Sequence, residues 1–110
     1  MENFLNKQME NKVKYFLPET EVAKNLADFF SVFSDETRLK LLSALAIQDM
    51  CVTDLAKVLD VNQTTVSHQL KLLKSVGVVS SVRCGKSIFY SINNKYVGQV
   101  MTCGVSYLGY

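Results

Sequence analysis

The sequence predicts a mainly α-helical fold with one β-hairpin: a winged helix-turn-helix that dimerises through its terminal helices. Three observations carry that expectation. Two short helical segments are separated by only three residues, Asp60-Val61-Asn62. Two β-branched and aromatic runs follow directly, flanking Arg83-Cys84-Gly85-Lys86. The C-terminal segment then keeps Val97, Val100, Met101, Val105 and Leu108 at helical spacing, with no later segment to cover them. Such a face is expected to pack on a second chain.

The 110 residues are 48% hydrophobic and 20% charged, with five Gly and one Pro. That balance fits a single compact domain and excludes collagen-like, disordered and multidomain organisation. A chain this short buries only roughly two-thirds of its unfolded surface, so its core is modest and dimerisation would help. The longest stretch free of charge, Tyr96 to Tyr110, is interrupted by Gly98 and Gly104. It falls short of the roughly 20 apolar residues of a membrane span. The N-terminal stretch sets Glu2 and Glu10 among lysines and has no apolar run, unlike a secretory leader. A cytoplasmic protein, with no membrane partner, is the expectation. Cys51, Cys84 and Cys103 are odd in number and scattered, which argues against a disulfide framework and allows free thiols.

Taken in order, residues 1–17 read as a loosely packed helical arm and residues 18–110 as the folded domain. Pro18 ends the arm, and Thr20 is a candidate cap for a helix carrying Val22, Leu26, Phe29, Phe30 and Phe33. Ser34-Asp35-Glu36 offers a cap oxygen and two acids for the next first turn, where the helix dipole favours negative charge. Leu39, Leu42, Leu45 and Ala46 line one face of that helix. Thr53 is a candidate cap for a short helix Asp54–Leu59. Asn62 then caps a second helix that ends near Ser75, with Gly77 as its stop. Val78–Val82 and Ser87–Ile92 form a hairpin with a basic, glycine-containing tip. Asn93 or Asn94 caps the last helix.

Charge is unevenly distributed. Residues 1–60 carry seven Lys or Arg and ten Asp or Glu. Residues 61–110 carry Lys71, Lys74, Arg83, Lys86 and Lys95 and no acid. An acid-free basic half suits a surface that faces phosphates. On the second helix of the helix-turn-helix, Val66, Leu70 and Leu73 share one side, and Thr64, Ser67, His68, Lys71 and Ser75 the other. Hydroxyls, an imidazole and an ammonium without a carboxylate suit base edges and phosphates. An ordinary amphipathic helix turned to water has the same pattern; the adjoining basic hairpin, able to place Arg83 or Lys86 on the backbone or in the minor groove, favours the first reading.

These residues carry a resemblance. Phe33-Ser34-Asp35-Glu36-Thr37-Arg38-Leu39, Val66-Ser67-His68-Gln69-Leu70-Lys71-Leu72-Leu73, Gly77-Val78-Val79, and Arg83 and Gly85 with Ile88-Phe89-Tyr90-Ser91-Ile92 are similar to segments of the ArsR/SmtB repressors. The similarity covers about residues 23–110 and is greatest to the zinc- and cobalt-sensing branch. It implies a homodimeric winged-helix repressor that leaves a double-stranded operator when a metal, metalloid or oxidant binds. With the polar helix face and the basic tip, it leads to the expectation that Thr64, Ser67, His68 and Lys71 face the major groove, Gln63 and Thr65 lie near phosphates at the helix start, and Arg83 and Lys86 serve the wing.

The zinc branch places an Asp and three His on its last helix; the matching positions here are Asn94, Tyr96, Tyr107 and Tyr110. Amides and phenols are poor ligands for such metals, so that site is expected to be absent. A second family site uses Cys-x-Cys-Asp-Leu, which here is Cys51-Val52-Thr53-Asp54-Leu55, with one thiol in place of two. Cys51 and Cys103 read either as small buried hydrophobes or as a thiol sensor, able to hold a metalloid or metal ion. Cys84 is expected to be exposed at the hairpin tip, reactive if its cationic neighbours stabilise a thiolate and inert otherwise. Two other functions compete: a winged-helix module that binds protein only, and a metal-responsive repressor using a non-standard site. An enzyme is not expected, because no catalytic constellation can be assembled around the single His.

Overall fold

The computed structural model describes residues 2–110; Met1, the first residue of the expected arm, lies outside them. Asn6 opens α1 (Lys7–Phe16), its carboxamide oxygen accepting the Met9 N–H at 2.8 Å. No residue of α1 is buried. The chain is accordingly long, 63 × 30 × 24 Å, with a radius of gyration of 18.8 Å, against about 13 Å for a compact chain of this length.

After Pro18 comes α2 (Thr20–Ser31), continued by a 3-10 turn over Val32–Ser34. The expected Thr20 cap is not made. Extended Glu19 occupies the cap position without a side-chain bond, and Thr20 already lies in the first turn. In α3 (Glu36–Ile47) the cap falls one residue later than the expected Ser34: Asp35 Oδ2 accepts the Arg38 N–H at 2.9 Å, while Ser34 Oγ donates back to the Ser31 carbonyl at 2.6 Å. The buried face of α3 is broader than expected and rotated: Leu41, Leu42, Ala44 and Leu45 are inside, whereas Leu39 is 38% exposed and Ala46 is exposed. The cause is enclosure, since α3 packs against the 3-10 turn, α4 (Val52–Leu59), the hairpin and α6 (Lys95–Leu108).

A two-residue strand, β1 (Met50–Cys51), precedes α4 and was not foreseen. It pairs with the second hairpin strand, Met50 opposite Tyr90 and Cys51 opposite Phe89. This pairing also corrects the expected Thr53 cap: the chain enters α4 directly from an extended Cys51, two residues before Thr53. The hairpin strands are β2 (Val79–Cys84) and β3 (Ser87–Ile92), giving an antiparallel sheet ordered β1-β3-β2. Cys84 therefore closes a strand, opposite Ser87, instead of sitting in the turn. Val66, Leu70 and Leu73 of α5 (Gln63–Ser75) meet Leu41, Leu42, Leu55, Val79 and Val97 in one core.

Candidate nucleic-acid interface

The turn between α4 and α5 is built locally. Asp60 adopts a left-handed conformation (φ 56°), and the Val61 N–H reaches back to the Ala56 carbonyl at 3.0 Å. Asn62 Oδ1 then accepts the Thr65 N–H at 2.8 Å and starts α5. At the other end Gly77 (φ 78°) allows the Gly77 and Val78 amides to bond the Lys74 and Leu73 carbonyls, each at 3.0 Å. That is a Schellman stop, and glycine suits its left-handed residue.

Between those ends, α5 keeps Val66, Leu70 and Leu73 fully buried. The side chains it turns outward, Gln63, Thr64, Ser67, His68 and Lys71, together border one shallow concavity of about 320 Å³. Five of the eight expected contact residues are thus gathered on one surface, with no carboxylate among them. Thr65 is not among them; it is half-buried, and its amide is held by Asn62. Arg83 and Lys86 stand apart on the hairpin, both exposed. Arg83 Nε donates to the Gly85 carbonyl at 3.3 Å, folding the guanidinium over the turn.

Two braces on α5 were not legible in the sequence. Arg38 donates from Nε to the Val32 carbonyl at 2.9 Å and from Nη2 to the Ser31 carbonyl at 3.2 Å. Its Nη1 also donates to Gln69 Oε1 of α5, at 3.5 Å. On the other side, Lys74 Nζ donates to Ser81 Oγ of β2 at 2.6 Å. Both join residues on different elements, and no local spacing announces them.

Strand alternation sorts the thiols. Buried Val79, Ser81 and Arg83 share the β2 face toward α5; Ser80, Val82 and Cys84 share the other, where Ser80 Oγ meets Ser91 Oγ at 3.1 Å. Cys51 lies on that outer face too, in the row of Phe89 and Val82. Two strand spacings and two residues separate Cys51 from Cys84, roughly 12 Å between Cα atoms, beyond the roughly 7 Å limit for a disulfide. Cys51 is half-buried, but Cys103 is exposed, which corrects the reading of both as buried hydrophobes. Cys103 is uncovered because it lies on the part of α6 beyond Met101, where no residue packs against the core.

The four last-helix positions do not fit a transition metal. Asn94 caps α6, its carboxamide oxygen accepting the Tyr96 N–H at 2.9 Å, and Tyr96, Tyr107 and Tyr110 are exposed phenols. Among the described residues no group of three or more His, Cys, Asp or Glu is placed to hold a metal ion. Among the described residues no helix is long and apolar enough to cross a membrane.

A helix locked from below, polar and carboxylate-free above, and followed by a basic hairpin defines the winged helix-turn-helix class. The family described as bacterial regulatory protein, arsR family, matches residues 35–81, from the α3 cap to the middle of β2. A transcriptional repressor SmtB homolog from Synechocystis is 40% identical over 89 residues, covering 78% of this chain and 67% of that protein. The crystal structure of AntR, an antimony-specific transcriptional repressor, superposes with a TM-score of 0.77 at 33% identity, covering 84% of each chain. A homodimeric winged helix-turn-helix DNA-binding domain from Mycobacterium bovis, described as a possible ArsR-family regulator, superposes with a TM-score of 0.74 at 25% identity, covering 84% of this chain and 88% of that one. The chain belongs to the ArsR/SmtB family, whose members are DNA-binding transcriptional repressors and not enzymes.

Proposed function

We propose that the chain represses transcription as a homodimer on a palindromic operator and is released by an inducer acting on its thiols. The observation that carries the DNA reading is the concavity of Gln63, Thr64, Ser67, His68 and Lys71 on α5. Thr64, Ser67 and His68 meet base edges in the major groove, Lys71 faces the groove and takes a phosphate at its edge, Gln63 and Thr65 approach phosphates, and Arg83 and Lys86 serve the wing. Two-fold symmetry sets the two α5 helices about one DNA turn apart. The exposed apolar side chains of α2 and α6, Val22, Leu26, Phe30, Val105 and Leu108, support a dimer, as does the homodimeric Mycobacterium bovis relative.

The test is binding to DNA from upstream of the chain's own gene, against random duplex. Lys71→Ala is expected to weaken both by a similar factor, because a phosphate contact carries no sequence information. Ser67→Ala and His68→Ala are expected to cost about 1–3 kcal/mol on the specific site and little on random DNA. Equal losses on both DNAs from all three variants would contradict the assigned roles.

The thiols supply the inducer chemistry that remains once the last-helix ligands are gone, and the antimony-specific relative favours a soft metalloid. Cys51 lies just before the helix-turn-helix and Cys103 on the proposed dimer helix, so modifying them changes how the two α5 helices are spaced. Cys84 faces away from α5, and its loss is expected to matter least. Arsenite, persulfide or peroxide is expected to release DNA from the native protein, but not from Cys51→Ser or Cys103→Ser. Stoichiometric zinc is expected to release nothing. Full response in all three Cys→Ser variants would leave the thiols as packing residues only.

A further inference from the structure

We propose that Lys74 is a positioning residue: bonded to Ser81, it holds the wing against α5 and so delivers Arg83 to the DNA. The proposal rests on the DNA-binding reading above and adds a residue to it. The base of the hairpin is fixed without Lys74. Val79 is buried, the Asn93 amide bonds the Val78 carbonyl at 3.0 Å, and Asn93 Nδ2 bonds the Gly77 carbonyl at 2.9 Å. Beyond Ser81 this support stops, since Val82, Arg83 and Cys84 are all exposed. The bond from Lys74 Nζ to Ser81 Oγ, 2.6 Å, is the one side-chain hydrogen bond between α5 and the hairpin among the described residues. It falls at the last half-buried position of β2, where the supported base gives way to a free lever.

Strand geometry makes that point consequential. Arg83 follows Ser81 on the same face, about 7 Å further along, and its guanidinium is tied to the Gly85 carbonyl. A rotation of the hairpin about its base is therefore passed on to Arg83 and Lys86. Residues 61–110 hold no carboxylate, so no acid in this half competes for the ammonium. Lys71, three residues earlier on α5, borders the concavity and Lys74 does not. The two lysines thus divide the work, one turned to DNA and one to the wing.

The test uses Lys74→Met, which keeps most of the aliphatic stem, Ser81→Ala, and the pair combined. Without DNA, amide hydrogen exchange over residues 82–88 is expected to quicken about three- to tenfold in either single variant, the worth of one hydrogen bond, and no further in the double. With DNA from upstream of the gene, both single variants are expected to lose affinity by a similar factor. Arg83→Ala is then expected to cost less in the Ser81→Ala background than alone. The dependence on salt should become shallower to the same extent in Ser81→Ala and Lys74→Met, and by no more than in Arg83→Ala, because both loosen the same wing contact. Unchanged exchange in both single variants would overturn the tether. So would a salt slope shallower by about two, one contact per protomer, in Lys74→Met beside a silent Ser81→Ala, which would make Lys74 a phosphate contact. Absence of DNA binding by the native chain would remove the role assigned to Arg83, while the exchange rates would still decide whether Lys74 holds the wing.

Discussion

A chain cut before Val97 is expected to lose both its native stability and its dimer. Val97 is only 2% exposed and belongs to the same core as Leu41 and Leu70, and Met101 packs against that core. Each larger apolar side chain withdrawn from burial costs about 1.5–3 kcal/mol, and a domain of this size holds only about 5–15 kcal/mol in total. The same cut removes Val105 and Leu108, the exposed side chains proposed for the partner. Light scattering and a thermal melt of the shortened chain are expected to show aggregates or a broad, lowered transition. Leu108→Glu separates the two losses. Leu108 is 67% exposed, so the charge is expected to leave the fold intact and convert the dimer to monomer. A shortened chain that remains a folded dimer would place the interface elsewhere.

Leu70→Ala is the single substitution expected to cost most. Leu70 lies fully buried under α5, directly beneath the polar face. Truncating such a leucine costs about 2–5 kcal/mol, the lost transfer energy plus a cavity. For a domain near 100 residues that lowers Tm by roughly 10–30 °C. Ser67→Ala, three residues away on the outer side of the same helix, is expected to shift stability by no more than about 0.5 kcal/mol while eroding sequence preference. Similar melting curves for the two variants would mean that α5 is not anchored as described.

What was legible in the sequence was local. The Asp60-Val61-Asn62 turn, the Asn62 and Asn94 caps and the Gly77 stop each depend on residues within a few positions, and each forms. The division of α5 into a buried and a polar side followed from helical period alone. What failed depended on distant partners. Thr20 and Thr53 have cap chemistry, but Pro18 and the pairing of Cys51 with Phe89 set the helix starts one and two residues earlier, respectively, than a cap there requires. Leu39 fits the period of α3, yet neighbours on several sides fixed a different buried face. The Arg38–Gln69 and Lys74–Ser81 contacts join elements that only the tertiary fold brings together.

The central claim, that the acid-free half reads DNA, is tested most directly by the salt dependence of affinity for DNA upstream of the gene. If Lys71, Arg83 and Lys86 of each protomer neutralise one phosphate apiece, log K should fall against log salt with a slope of about −5. Lys71→Ala, removing one phosphate contact per protomer, should make it shallower by about two. Binding that is undetectable, or indifferent to salt, would contradict the account.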